Sequence, residues 1–360
     1  MSLDLEMPTL FQPLTVASAL QDNIEPHTSV RGVQFVQVSR ISWLVTKVSV
    51  TKLQSTIINT SSLTHSLTHS LTHSLTPPPL SLPPQLYQRI PFGLGKYFYL
   101  PFEINYESDA GVRWTRDHPY TPFLICAVYL AAIFFGKRYM NQRIASGGQR
   151  FDLRYPLAYW NAFLSLFSFI GAMRTVPDLL YRLGSEPASA SICTAPSASW
   201  GNGATGLWVQ LFIFSKIPEL VDTVFIVARD RPLIFLHWYH HVTVLLYCMH
   251  SYAHESSQAL YFVAMNYSVH AIMYGYYCLM ALKMKPAWLP PVVITVAQIS
   301  QMFVGVAVQL AASYKLFTDD ECQLNGQNIF WGGLMYASYF ALFTSFAVQR
   351  YCVKRTKKVV

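Results

Sequence analysis

The run PLIFLHWYHHVTVLLY, Pro232–Tyr247, sets three histidines, His237, His240 and His241, inside a stretch otherwise apolar enough to cross a membrane. An imidazole in hydrocarbon is costly, and ionisable residues there face a bundle interior or a cavity rather than lipid. The rest of the chain agrees with a membrane reading. Of its 360 residues, 52% are hydrophobic and 12% charged, against about 25% charged in an ordinary soluble domain. A spanning helix needs about 20 mostly apolar residues. Seven stretches qualify: 119–136, 155–173, 207–228, 232–249, 257–282, 287–312 and 327–349. The expectation is an all-α polytopic membrane protein with seven transmembrane helices.

The net charge of +8 sits in short connecting loops, so it does not signal a nucleic-acid partner. Fourteen Lys and Arg fall in 137–154, 229–231, 283–285 and 350–358, and five on the opposite side. Basic residues mark the cytoplasmic face, which makes the C-terminus cytosolic and the segment before the first span lumenal. Cys193 and Cys322 fall in lumenal loops, where oxidation is permitted, and are expected to pair. Cys126, Cys248, Cys278 and Cys352 read as small packing residues or a tail thiol. The chain closes on KRTKKVV. Lys357 and Lys358 match a dilysine endoplasmic-reticulum retrieval signal, or form a basic cluster attracted to anionic lipid. Both readings need a cytosolic tail.

Residues 1–90 read as a low-complexity, disordered extension, 91–350 as the helical domain and 351–360 as a basic cytosolic tail. Within the extension, 62–77 reads SLTHSLTHSLTHSLTP. His65, His69 and His73 suggest a metal-binding tract, but a four-base repeat, TCAC, translated in triplets also yields Ser-Leu-Thr-His and is the preferred account. The sequon at Asn59 would be lumenal.

Four spans carry polar groups on one side only. His237, His240 and His241 stand at i, i+3 and i+4 and share a helix face. Lys216, Glu219 and Thr223 form a second stripe with Asp222 beside it. Asn266, His270 and Tyr277 form a third, with Tyr274 adjoining, and Thr295, Gln298 and Gln301 lie along a fourth span. Depth follows from the helical rise. Counted from the nearest cytosolic basic residue, His237 and His241 lie about 9 and 15 Å in, and Asp222, Glu219 and Lys216 about 10, 15 and 20 Å. His270 and Gln298 lie about 20 Å in and Gln301 about 24 Å. Four helices of alternating direction thus bring their polar groups to one layer, a buried chamber facing the cytosol. Thr295, Gln298 and Gln301 are equally readable as interhelical glue, and Lys216 with Glu219 and Asp222 as a compensated ion-pair set. Tyr274, Tyr276 and Tyr277 also fit as packing aromatics. His250 and His254 fall beyond the span and off this face, and His118 reads as surface.

Two chemistries compete for the chamber. A membrane di-iron desaturase or hydroxylase also uses HxxHH, but two irons need more ligands than one histidine box and His270 provide, and Lys216 opposes a cation. The other is metal-free acid–base or nucleophilic chemistry, for which imidazole is suited near neutral pH and which includes acyl transfer through the ring. A seven-span receptor or transporter gives no reason for four histidines at one depth.

The segments KIPELVDT (216–223), FLHWYHH (235–241), NYSVHAIMYGYY (266–277) and TVAQISQ (295–301) stand in the order and spacing of a known family. Over about residues 94–350, including the loop cysteines and the closing NIFWGGLMYASY, the chain resembles the very-long-chain fatty acid elongase (ELO) family, the membrane 3-ketoacyl-CoA synthases. The resemblance implies seven helices around a buried acyl-CoA tunnel in the endoplasmic-reticulum membrane. It also implies condensation of malonyl-CoA with a long-chain acyl-CoA, releasing CO2 and CoA, with no metal and no cofactor beyond the co-substrate malonyl-CoA. His240 is then the acyl acceptor, His270 its assistant, His237 and His241 supports, and Asn266 an oxyanion donor. Lys216 would meet malonyl carboxylate or CoA phosphate, oriented by Glu219 and Asp222. Thr223, Tyr274, Tyr277, Gln298 and Gln301 would line the substrate. FLHWYHHVTVLLY, MNYSVHAIMYGYY and QNIFW look most like the subfamily acting on saturated and monounsaturated chains, the polyunsaturated type being the alternative. Membrane lipid surrounds the protein, and a ketoacyl-CoA reductase, a 3-hydroxyacyl-CoA dehydratase and an enoyl-CoA reductase would complete the cycle.

Overall fold

An unpaired backbone amide in hydrocarbon costs several kcal/mol, and a helix pairs its own. Each of the seven apolar stretches is accordingly helical. The computed structural model describes residues 99–352 apart from Glu186, Asp320, Glu321 and Gln323. The expectations for residues 1–90, with the histidine repeat and Asn59, and for Lys357 and Lys358 lie outside the described residues.

Two short helices, α1 (Pro101–Ile104) and α2 (Asp109–Asp117), precede the long ones. Then come α3 (Thr121–Ala145), α4 (Arg154–Ser185) and the short α5 (Ala188–Cys193). They are followed by α6 (Gly203–Ser215), α7 (Val221–Ala228), α8 (Phe235–Ala253), α9 (Ala259–Ala281), α10 (Pro291–Thr318) and α11 (Gly326–Ala347), which runs on as a π turn to Cys352. No strand occurs among the described residues; the fold is all-helical. Helices α3, α4, α10 and α11 with its extension are long and apolar enough to cross a membrane, which makes this a multi-pass membrane protein. Helices α8 and α9 have the length, at 19 and 23 residues, and contain no Asp, Glu, Lys or Arg. Their histidines, tyrosines and asparagine are what lower their hydropathy.

Two boundaries differ from the sequence expectation. Lys137, Arg138 and Arg143, assigned to a loop, lie in α3, and Arg174 and Arg182 lie in α4. Apolarity ends at the hydrocarbon edge, but a helix continues until its backbone is broken. For α3 the break comes at Gly147, whose φ of +82° suits glycine. The span read as 207–228 is instead two helices, because Pro218 cannot continue the α6 hydrogen-bond ladder and a 3-10 turn, Pro218–Leu220, joins α6 to α7.

Helix packing relies on small residues. A Cβ on Gly171 of α4 would overlap the Tyr267 ring of α9, and one on Gly305 of α10 would overlap the Tyr336 ring of α11. Glycine at these points lets the helix backbones approach across a large ring. A disulfide joins Cys193, the last residue of α5, to Cys322 in the α10–α11 connection, with Cα atoms 4.8 Å apart. Ile192, next to Cys193 in sequence, packs with Ala312 and Ile329 in one buried cluster. Cys126 and Cys248 are buried, Cys278 partly so, and Cys352 is exposed.

The segment ahead of the first span is tied down by a buried ion pair. Glu103 of α1, 2% exposed, accepts from Arg174 Nε and Nη2 at 2.9 and 3.2 Å and from Trp208 Nε1 of α6 at 2.7 Å. The Leu100 amide donates to it as well, at 2.8 Å. Burial pushes this carboxyl up, but the hydrogen bonds from Arg174, Leu100 and Trp208 outweigh it and hold the group below its ordinary value. A depressed carboxylate contributes stability above its unfolded pKa, and that stability is lost as pH falls through the folded value. Glu103→Ala removes the carboxylate that two Arg174 nitrogens, Trp208 and the Leu100 amide all bond, and is expected to cost about 3–5 kcal/mol. Thermal unfolding of the solubilised protein should show this loss at neutral pH, and a weaker decline of stability on acidification than in the parent.

Candidate active site

The 3-10 turn made by Pro218 decides the first part of the site. Residues three apart eclipse one another in such a turn, and Lys216 Nζ meets Glu219 Oε1 at 2.7 Å, both side chains buried. Ser215 Oγ donates to the same carboxylate oxygen at 2.9 Å. The ammonium also lies 3.5 Å from Asn266 Oδ1 of α9 and 4.0 Å above the Phe212 ring. A buried ammonium needs this company, since an unpaired charge away from water is prohibitively costly.

The α8 histidines adjoin one another, with ring centroids 4.5 Å apart and tilted for His237 and His241, and 5.6 Å apart and edge-on for His240 and His241. Thr223 Oγ1 of α7 lies 2.9 Å from His237 Nε2, and the Tyr129 hydroxyl of α3 lies 2.8 Å from Thr223 Oγ1. On the other side, the Tyr339 ring of α11 sits 5.0 Å from the His240 ring, and its hydroxyl donates to the His240 carbonyl at 3.1 Å. Among the described residues, no group hydrogen-bonds a ring nitrogen of His240, His241 or His270, and none of those nitrogens is sealed off as His250 Nε2 is. Nor do three His, Cys, Asp or Glu side chains come together, among the described residues, in a way that would hold a metal ion.

Asp222 departs from expectation. It does not help Glu219 orient Lys216. Its Oδ1 accepts from Trp160 Nε1 of α4 at 2.6 Å and its Oδ2 from the Tyr274 hydroxyl of α9 at 2.7 Å. Three residues on from Glu219, and past the change from 3-10 to α-helix, its side chain faces α4 and α9 instead. Tyr274 in turn meets His270 edge-on, with centroids 5.2 Å apart. Gln298 Nε2 reaches only Met273 Sδ, at 3.2 Å, and Gln301 is buried with Oε1 unpaired. Thr295 bonds the Pro291 carbonyl and the Tyr351 hydroxyl, which is the glue role. Tyr277 is 43% exposed and hydrogen-bonds no described residue. His250 lies within α8 and His254 ends it, their rings 4.2 Å apart and away from the box.

The same residues fall within a match to the family described as ELO: GNS1/SUR4 family, which covers residues 114–359. The chain belongs to the ELO family. Among its relatives is the mouse protein named very long chain fatty acid elongase 6, 40% identical over 258 residues, 71% of this chain and 94% of the relative. The Drosophila melanogaster protein of the same name is also 40% identical over 258 residues, covering 71% and 80%. Human very long chain fatty acid elongase 3 is 37% identical over 254 residues, covering 70% and 91%.

For this ELO chain, sequence reasoning missed Tyr129, Trp160 and Tyr339, which sit in spans with no polar stripe. A signal was present nonetheless. A buried phenol or indole seeks a hydrogen-bond partner, so these rings were candidates for reaching across to another helix. Trp160→Phe keeps an aromatic ring but removes one of the two donors to Asp222. It is expected to lower stability by about 1–3 kcal/mol and to reduce turnover more than substrate affinity, because it loosens Tyr274 against His270. Thermal unfolding with kcat and KM for elongation checks both.

Proposed function

We propose that the chain is a fatty acid elongase catalysing the condensation step, as a 3-oxoacyl-CoA synthase joining malonyl-CoA to a long-chain acyl-CoA. Its family supports elongation. The observation that carries the chemistry is the set of imidazoles with unengaged ring nitrogens, His240 and His241 on α8 and His270 on α9, the helix whose Asn266 stands next to the buried Lys216 ammonium. His240 packs against His241 and Tyr339 yet keeps accessible surface, which fits the lining of a tunnel. We read the three polar helical segments, α6–α7, α8 and α9, as spans too, which makes seven helices around that tunnel.

In this reading a His240 ring nitrogen attacks the acyl thioester, and CoA leaves as the thiol with the displaced proton. Malonyl-CoA then loses CO2, and the carbanion so formed attacks the acyl-imidazole. The ring leaves, is restored to neutral imidazole by a proton from solvent, and a 3-oxoacyl-CoA two carbons longer results. Lys216, neutralised on one side by Glu219, meets the malonyl carboxylate or a CoA phosphate. Asn266 donates to the oxyanion through its amide N–H, its Oδ1 facing Lys216, and His270 polarises the carbonyl. No cofactor is needed. A di-iron oxygenase would require cations next to the Lys216 ammonium, which their repulsion opposes. Saturated and monounsaturated acyl-CoAs are the proposed substrates, the endoplasmic-reticulum membrane the site and the cytosol the side of the C-terminus. The three remaining steps of the cycle fall to the reductases and dehydratase named above.

Membranes containing the protein, supplied with radiolabelled malonyl-CoA and a panel of acyl-CoAs, should form labelled 3-oxoacyl product without NADPH. Product that requires NADPH, O2 and iron would instead indicate an oxygenase. His240→Ala is expected to lower condensation by a factor on the order of 10² or more. Near-parental activity in that variant would remove His240 as the acyl acceptor.

A further inference from the structure

Tyr129 and Thr223 are 6% and 2% exposed. A buried donor left without an acceptor costs about 1–3 kcal/mol, so each of these hydroxyl protons needs a destination. Among the described residues Tyr129 hydrogen-bonds only Thr223, and Thr223 only Tyr129 and His237. Thr223 lacks the outlet that other buried threonines use. The hydroxyls of Thr115, Thr175 and Thr295 donate to the carbonyl four residues back, whereas the Thr223 hydroxyl bonds no carbonyl among the described residues.

Three atoms in a row, Tyr129 Oη, Thr223 Oγ1 and His237 Nε2, therefore share two contacts. If Nε2 carried a proton and donated it to Thr223, one of the two hydroxyls would be left with a proton and no acceptor. One arrangement uses both hydroxyl protons. Tyr129 donates to Thr223, Thr223 donates to the Nε2 lone pair, and the ring proton of His237 sits on Nδ1.

We infer that Tyr129 and Thr223 form a one-way hydrogen-bond chain that holds His237 in its Nδ1–H tautomer. Both are positioning residues, and Thr223 moves from the substrate-lining set to this role. The consequence for catalysis rests on the condensation reading. With its Nε2 lone pair engaged, His237 is withdrawn from acyl transfer through that atom. Its Nδ1 is not sealed from the surface, so the ring presents a donor beside His241. One face of a helix thus carries three imidazoles of unequal chemistry, and the inequality originates in α3.

The tautomer is read directly by nitrogen NMR. The full chain in lipid nanodiscs, with 15N-labelled histidine and His237 signals assigned through His237→Asn, should show a protonated-type shift at Nδ1 and an unprotonated-type shift at Nε2. The reverse pattern overturns the inference. Thr223→Val preserves shape without the hydroxyl and is expected to exchange the two shifts or mix them, while Thr223→Ser retains the parental pattern. A Thr223→Val spectrum identical to the parent also overturns it. The parental spectrum decides the matter should the valine variant not fold. All spectra are taken without substrate, so they stand apart from the outcome of the condensation assay.

Discussion

A charged or hydrogen-bonding side chain inside a bilayer has no water to return to, and the Lys216 ammonium is the severest case here. Its pair with Glu219 lies wholly within the protein, and Asn266 of α9 stands next to it. Removing either partner would leave a charge where solvation is worth several kcal/mol. The broken α6–α7 rod and α9 are therefore held to one another by necessity. Much of the remaining arrangement serves that meeting: the proline that interrupts the helix, the serine that braces the carboxylate, and the histidines across from it.

Helices α3, α4 and α11 are long and apolar enough to span a membrane and carry no polar motif, yet each sends an aromatic heteroatom to the site. Tyr129 reaches Thr223, Trp160 reaches Asp222, and Tyr339 reaches the backbone of His240. An aromatic ring with a single polar atom suits this position, since its body matches lipid and packing while its tip completes a hydrogen bond. The outer helices thereby set the orientation of groups they do not own. Asp222 illustrates the division: it lies beside an ion pair in sequence, but its two oxygens serve an indole and a phenol, and the phenol packs against His270.

Helix ends show where local reading fails. Asp230, Glu255 and Lys283 adopt φ of 51°, 49° and 64° at the ends of α7, α8 and α9. At each, two backbone amides return to the last turn, as Asp230 and Arg231 do to Val227 and Ile226. This is the left-handed C-terminal closure that glycine usually makes. With no glycine in those turns, the signal was missing and the ends were placed only from the loss of apolarity.

Hydrophobic length and helical spacing are properties of a linear chain, and from them the sequence by itself determined the all-helical membrane class and the helical segments that carry the polar residues. Which neighbour each polar atom meets is not linear. It depends on how helices rotate and approach when glycines such as Gly171 admit a facing ring, and on a 3-10 turn that shifts every later side chain around the axis. Only the tertiary structure decided that Asp222 belongs with Trp160, and that Tyr129 and Thr223 end on His237. The reason is that a hydrogen bond is short and directional, so a rotation of one helix by a few tens of degrees exchanges one partner for another while the pattern along the sequence stays the same.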